Sequence, residues 1–147
     1  MTGPDTDPPA DRTVAQVFLA DAAVLDPSGK VHCLGAGWTV TSSPTGPHAV
    51  VVLLRVAWEA AGVPQRLVVA LIDADGRAVP LPTVHGPEQL RVQAEVAIGR
   101  PEGLPAGSSL DAPFVLPVAP LPLPPGRYEY RVSIGDEVFH APFDVRG

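Results

Sequence analysis

The stretch GRYEYRVSIGDEVFHAPFDVR, residues 126–146, carries two strict alternations joined by a turn. Tyr128, Tyr130, Val132 and Ile134 fall on one side of a two-residue period, and Arg127, Glu129, Arg131 and Ser133 on the other. After Gly135-Asp136, Phe139, Ala141, Phe143 and Val145 alternate in the same way with His140, Asp144 and Arg146. Side chains of a strand project to opposite faces in turn, so this spacing predicts two antiparallel strands with one buried and one solvated face. The Gly-Asp pair between them supplies the turn.

Six further apolar segments precede this pair, at 14–25, 31–40, 48–59, 66–74, 90–98 and 110–118, with the short spacing and turn residues of an all-β domain. In the segment 90–98, Val92, Ala94, Val96 and Ile98 share a face opposite Arg91, Gln93 and Glu95. In 48–59, Val50, Val52, Leu54, Val56 and Trp58 share one face. The other, with Val51, Leu53, Arg55, Ala57 and Glu59, is only partly polar. This predicts a strand in mid-sheet whose second face is partly covered. Asp26-Pro27-Ser28-Gly29 and Asp73-Ala74-Asp75-Gly76 read as turns, and residues 87–90 have room for one helical turn. The links 100–109 and 117–126 are expected to cross between two sheets. In 110–118 the apolar face, Leu110, Ala112, Phe114, Leu116 and Val118, leaves Pro113 and Pro117 opposite, which predicts an edge strand blunted by proline. The fold expected is therefore all-β, an antiparallel immunoglobulin-like β-sandwich of about eight strands over residues 13–147. Residues 1–12, rich in proline and acid, are expected to form a disordered tail.

Composition narrows the function. The 147 residues are 46% hydrophobic, enough for one core, while 19 prolines and 14 glycines punctuate the apolar runs. The net charge is −6 and the ten cations are scattered singly, which argues against nucleic acid as a partner. Nine are Arg and only Lys30 is Lys, a bias that with the Ala, Pro and Gly content suggests a high-GC bacterial source. Cys33 is the single cysteine, so no intrachain disulfide is possible, and no apolar run is long enough to span a membrane. These features predict a cytoplasmic protein, a monomer or weak homodimer.

No residue pattern announces a reaction. DADG at 73–76 lacks the further oxygen ligands of a calcium loop. His32, His48, His85 and His140 are each alone in sequence. An acid–base or metal site would need them to converge with Asp21 or Glu59. Cys33 lies within an apolar run as a structural thiol, and no G-x-S-x-G elbow occurs. No catalytic residue, metal or cofactor is expected. The most distinctive feature is Gly35-Ala36-Gly37-Trp38, read as part of a strand with a bare strip at Gly35 and Gly37. Two readings stay open for it: a bulge or tight sheet packing with Trp38 and Trp58 as core anchors, or a binding surface formed by Gly35, Gly37 and Trp38.

Three segments, FLADAAVLDPSGKVHCLGAGW (18–38), LIDADGRAVP (71–80) and LPLPPGRYEYRVSI (121–134), together resemble a group of small bacterial proteins classed as a domain of unknown function. The resemblance implies a small β domain, no established activity and no catalytic residue to carry over. The function expected is a non-enzymatic interaction or binding module with an unknown protein partner. The alternatives are a structural subunit of a larger bacterial assembly and an enzyme whose site assembles from scattered His and carboxylates.

Overall fold

The computed structural model describes residues 12–147, and the expected tail falls outside them except for Arg12. The strands are β1 (Val14–Ala20), β2 (Ala22–Leu25), β3 (Val31–Leu34), β4 (Val40–Ser42), β5 (His48–Val56), β6 (Gln65–Asp73), β7 (Pro80–Thr83), β8 (Gly86–Gln89), β9 (Arg91–Val96), β10 (Leu110–Asp111), β11 (Phe114–Val118), β12 (Gly126–Ile134) and β13 (Glu137–Arg146). A 3₁₀ turn at Trp58–Ala60 is the only helical element among the described residues. None of these elements is a helix long and apolar enough to cross a membrane.

Two sheets carry the architecture. In the first, β5 lies between β1 and the β10/β11 edge. The second has the order β4-β13-β12-β6-β9. Their inner faces share one core: Val50, Val52, Leu54 and Val56 of β5 belong to the same buried cluster as Leu67, Val69 and Leu71 of β6 and Tyr130, Val132 and Ile134 of β12. Burying each such aliphatic side chain contributes about 1.5–3 kcal/mol, so the alternation in β5, β6, β12 and β13 is the main source of stability. The links 97–109 and 119–125 both cross from one sheet to the other, as expected.

The β2–β3 hairpin forms a small sheet of its own, and β2 runs close to both β5 and β11. It crosses the outer face of the first sheet, which is why Val51 is fully buried on the side where only partial cover was expected.

The edge reading of 110–118 holds. Ala112 N donates to Leu54 O, and the register Leu110↔Val56 continues unbroken to Phe114↔Val52. Residues of even number therefore turn their backbone groups toward β5, and Pro113 and Pro117 turn theirs outward, where the missing N–H costs no ladder bond.

Several expectations need correcting. The strands number more than eight because local breaks split the segments. The chain turns at Asp21, glycines with positive φ interrupt 31–40, and Pro113 separates β10 from β11. The segment 48–59 ends as a strand at Val56 and passes into the 3₁₀ turn that carries Trp58 and Glu59. The β7–β8 hairpin replaces the helical turn expected at 87–90. Its three prolines, Pro80, Pro82 and Pro87, masked it as a loop, and an isolated ribbon can hold them because it has no neighbouring ladder to disturb. In β9 the face of Val92 is largely exposed, since the strand is the outer edge of its sheet. One pairing is parallel, β4 with β13. Cys33 is half-buried rather than buried, because its hairpin lies outside the main core.

Candidate binding site

The chain leaves β1 at Asp21 and folds against the loop after β3. Asp21 N donates to Leu34 O (3.0 Å) and Gly35 O (3.2 Å), and Gly37 N donates to Leu19 O (2.7 Å). Gly35 and Gly37 have φ of +60° and +89°, so they form a turn and not the bare strip of a strand. Gly35 is required twice over. A Cβ built there would lie 2.2 Å from Asp21 Oδ2 and 2.6 Å from its Cγ, so only a hydrogen lets the carboxylate lie against the turn.

The turn delivers Trp38, half-buried, against the core. Its ring meets His48 edge-on (5.5 Å between centroids, 76° between planes) and Phe143 likewise (6.2 Å, 84°). The indole Nε1 is buried without an acceptor among the described residues. After β4 the chain is pinned by Thr45, whose N donates to Leu121 O while its Oγ1 accepts from Leu121 N, each at 2.9 Å. It then enters β5 at His48.

His48 joins the two sheets. Its Nδ1 lies 2.9 Å from Gly46 O, and its Nε2 lies 2.7 Å from Tyr130 Oη. A carbonyl can only accept, so Nδ1 carries the proton and Nε2 accepts from the tyrosine hydroxyl. Burial holds the imidazole pKa below its ordinary value, opposed by the Gly46 carbonyl and by the charge of Asp21. Burial also pushes the Tyr130 hydroxyl upward. The ring is thus neutral, with both nitrogens engaged.

Together these elements enclose a concavity of about 510 Å³, whose walls include Asp21, Gly35, Gly37, Trp38, Thr41 and His48. It lies at the end of the molecule where β1 finishes and β5 begins. Its exposed charged group is the Asp21 carboxylate, which accepts no hydrogen bond from the described residues.

Of the sequence candidates, Gly35, Gly37 and Trp38 line this concavity, and Asp21 and His48 converge on it. The others do not. His32 Nε2 is paired with Asp26 Oδ2 (2.7 Å), His140 pairs with Glu129, and His85 is exposed at the tip of the β7–β8 hairpin. Glu59 lines a separate hollow with Gln65, Asp136 and Glu137. DADG is a turn, as expected: Asp73 Oδ1 accepts from the amides of Asp75 (2.9 Å) and Arg77 (3.0 Å). Sequence reasoning missed Tyr130 and Gly46 as supports of the site. The available signal was a tyrosine on the buried face of a strand, whose hydroxyl needs a polar partner inside the core.

Residues 15–146 match a family model described as a family of unknown function (DUF6941). No curated protein matches the chain.

Proposed function

The chain belongs to the DUF6941 family, and from its geometry we propose that it is a non-enzymatic binding module that takes a cationic group of a partner, such as a guanidinium or an ammonium, into the Asp21–Trp38 concavity. One observation carries this reading: Asp21 lies against Gly35 with no donor to its carboxylate among the described residues, on the wall of a hollow that Trp38 and His48 also line. A carboxylate beside an indole suits a cation, through ion pairing and attraction to the ring. The chain uses the same chemistry internally, with the Arg100 guanidinium 4.4 Å above the Trp58 ring. The net charge of −6 favours encounter with a cationic partner. Catalysis by His48 is disfavoured, since both of its ring nitrogens are already engaged.

The same proposal includes an immunoglobulin-like sandwich. In its support, the neighbour orders β1-β5-β10/β11 and β13-β12-β6 are those expected of strands A-B-E and G-F-C in such a sandwich. Tyr128 Oη donates to Pro124 O (2.6 Å) at the entry to β12, the arrangement of a tyrosine corner. A bacterial cytoplasmic setting belongs to the reading as well, supported by the free cysteine.

The test is a titration of the protein with an alkylguanidinium probe, followed by tryptophan fluorescence, with the isosteric neutral alkylurea as control. We expect saturable quenching by the guanidinium alone, lost in Asp21→Asn. Equal responses to both probes, or an unchanged response in Asp21→Asn, would overturn the reading.

A further inference from the structure

The open edge of β9 supports an inference separate from the concavity, which adjoins β4 at the opposite edge of the same sheet. Leu71 N donates to Leu90 O, and the register Val69↔Val92 continues this pairing. The backbone groups of Val92, Ala94 and Val96 therefore face β6, and those of Arg91, Gln93 and Glu95 face outward. No strand among the described residues pairs with that outward side, and no proline interrupts it. The first sheet closes its β11 edge with Pro113 and Pro117, so the two edges are treated differently by the sequence.

We propose that β9 is a homodimer interface, in which a second copy of this chain adds its own β9 antiparallel across a two-fold axis at Gln93. The sequence is self-complementary in that register. Arg91 falls opposite Glu95 of the second copy, Gln93 opposite Gln93, and Glu95 opposite Arg91. All three residues have outward-facing backbone groups, so each of the three pairs exchanges both of its ladder bonds. Their side chains share one face of the strand, which places an ion pair on either side of the axis. On the other face Val92, 43% exposed in the single chain, meets Ala94 of the second copy. A register slipped by two residues in either direction breaks both ion pairs, so charge selects the centred one. Within one chain, Gln93 Oε1 already accepts from Arg66 Nη2 (2.7 Å) and Arg91 Nη1 (2.8 Å), which positions these side chains along the face before association. The dimer presents two concavities, one from each copy.

The experiment is sedimentation velocity on the full chain from micromolar to near-millimolar concentration, with circular dichroism to establish that each variant is folded. The parent is expected to dimerise reversibly. Arg91→Glu and Glu95→Arg each place like charges across the axis twice, and each should weaken self-association by roughly tenfold or more. Mixing the two single variants restores complementarity, as does the double variant, and both should recover the parent's affinity. A parent that stays monomeric throughout, single variants that dimerise as the parent does, or a mixture that fails to recover would each overturn the proposal.

Discussion

Two turns of this chain place an aspartate beside a glycine, with opposite outcomes. At the β2–β3 turn, Asp26 Oδ1 accepts from Ser28 N (2.8 Å), Ser28 Oγ (2.6 Å) and Lys30 N (3.0 Å), while Oδ2 meets His32. The Ser28 hydroxyl above all, then His32 and the Lys30 amide, hold its carboxyl well below the usual carboxylate range. At the β1–β2 corner, Asp21 lies against Gly35 so closely that a Cβ there would clash with its carboxylate, and it accepts nothing from the described residues. Asp73 follows the Asp26 pattern. A turn aspartate is ordinarily saturated by the amides it organises. One placed without such donors, inside a hollow, is available to a ligand.

Substitution at the two glycines tests the contrast most strongly. Gly29 has φ +84° and nothing near its absent Cβ, whereas Gly35 has φ +60° and the Asp21 carboxylate. Gly29→Ala should cost about 1–2 kcal/mol in denaturant unfolding, from backbone conformation alone, and Gly35→Ala about 2–4 kcal/mol. In an Asp21→Ala background the cost at Gly35 should fall to that at Gly29. Equal costs in the parent would mean that the carboxylate is not seated there.

The wall behind Asp21 comes next. Tyr130→Phe leaves His48 Nε2 buried without its donor and should cost about 1–3 kcal/mol. His48 has a lowered folded pKa, so its contribution is fully present above the unfolded value near 6.5 and is lost as pH falls from there toward the folded value. Stability of the parent should decline over that acidic interval. His48→Gln, which carries no titrating ring, should flatten that part of the profile.

A smaller effect belongs to Asp26. Its folded pKa is depressed, so the stabilisation is present above the unfolded value near 3.9 and disappears as pH falls through the folded one. Asp26→Ala should lower the unfolding midpoint modestly at neutral pH and remove the corresponding loss below pH 4. Asp21→Asn should change stability by no more than about 0.5 kcal/mol, since no donor among the described residues depends on that charge.

Strand periodicity made the centre of the fold legible and left its corners dark. Tyr128 to Ile134 and Phe139 to Val145 declare their buried faces because the two-residue period survives turn to turn. The same rule misread Val92, since alternation says which side chains share a face and not whether a second layer covers it. It also misread Gly35 and Gly37, because glycine permits the strand and the left-handed turn alike, and only contact with Asp21 selects the turn. Gly35, Gly37 and Trp38, singled out by their local pattern, do line the concavity. Asp21 and His48 were visible only as isolated chemistry, since what unites them is the register Ala20↔Ala49 and the return of the chain through Thr45.

The most direct measurement is an amide-resolved nuclear magnetic resonance titration of the parent with the alkylguanidinium probe, comparing the two aspartate turns within one molecule. Saturable shifts at Asp21, Gly35, Gly37 and the Trp38 indole N–H, with none at Ser28 or Lys30, are the expected result. Shifts of equal size at both turns, or at the Asp26 turn alone, would contradict the claim that Asp21 is the carboxylate this fold holds open for a partner.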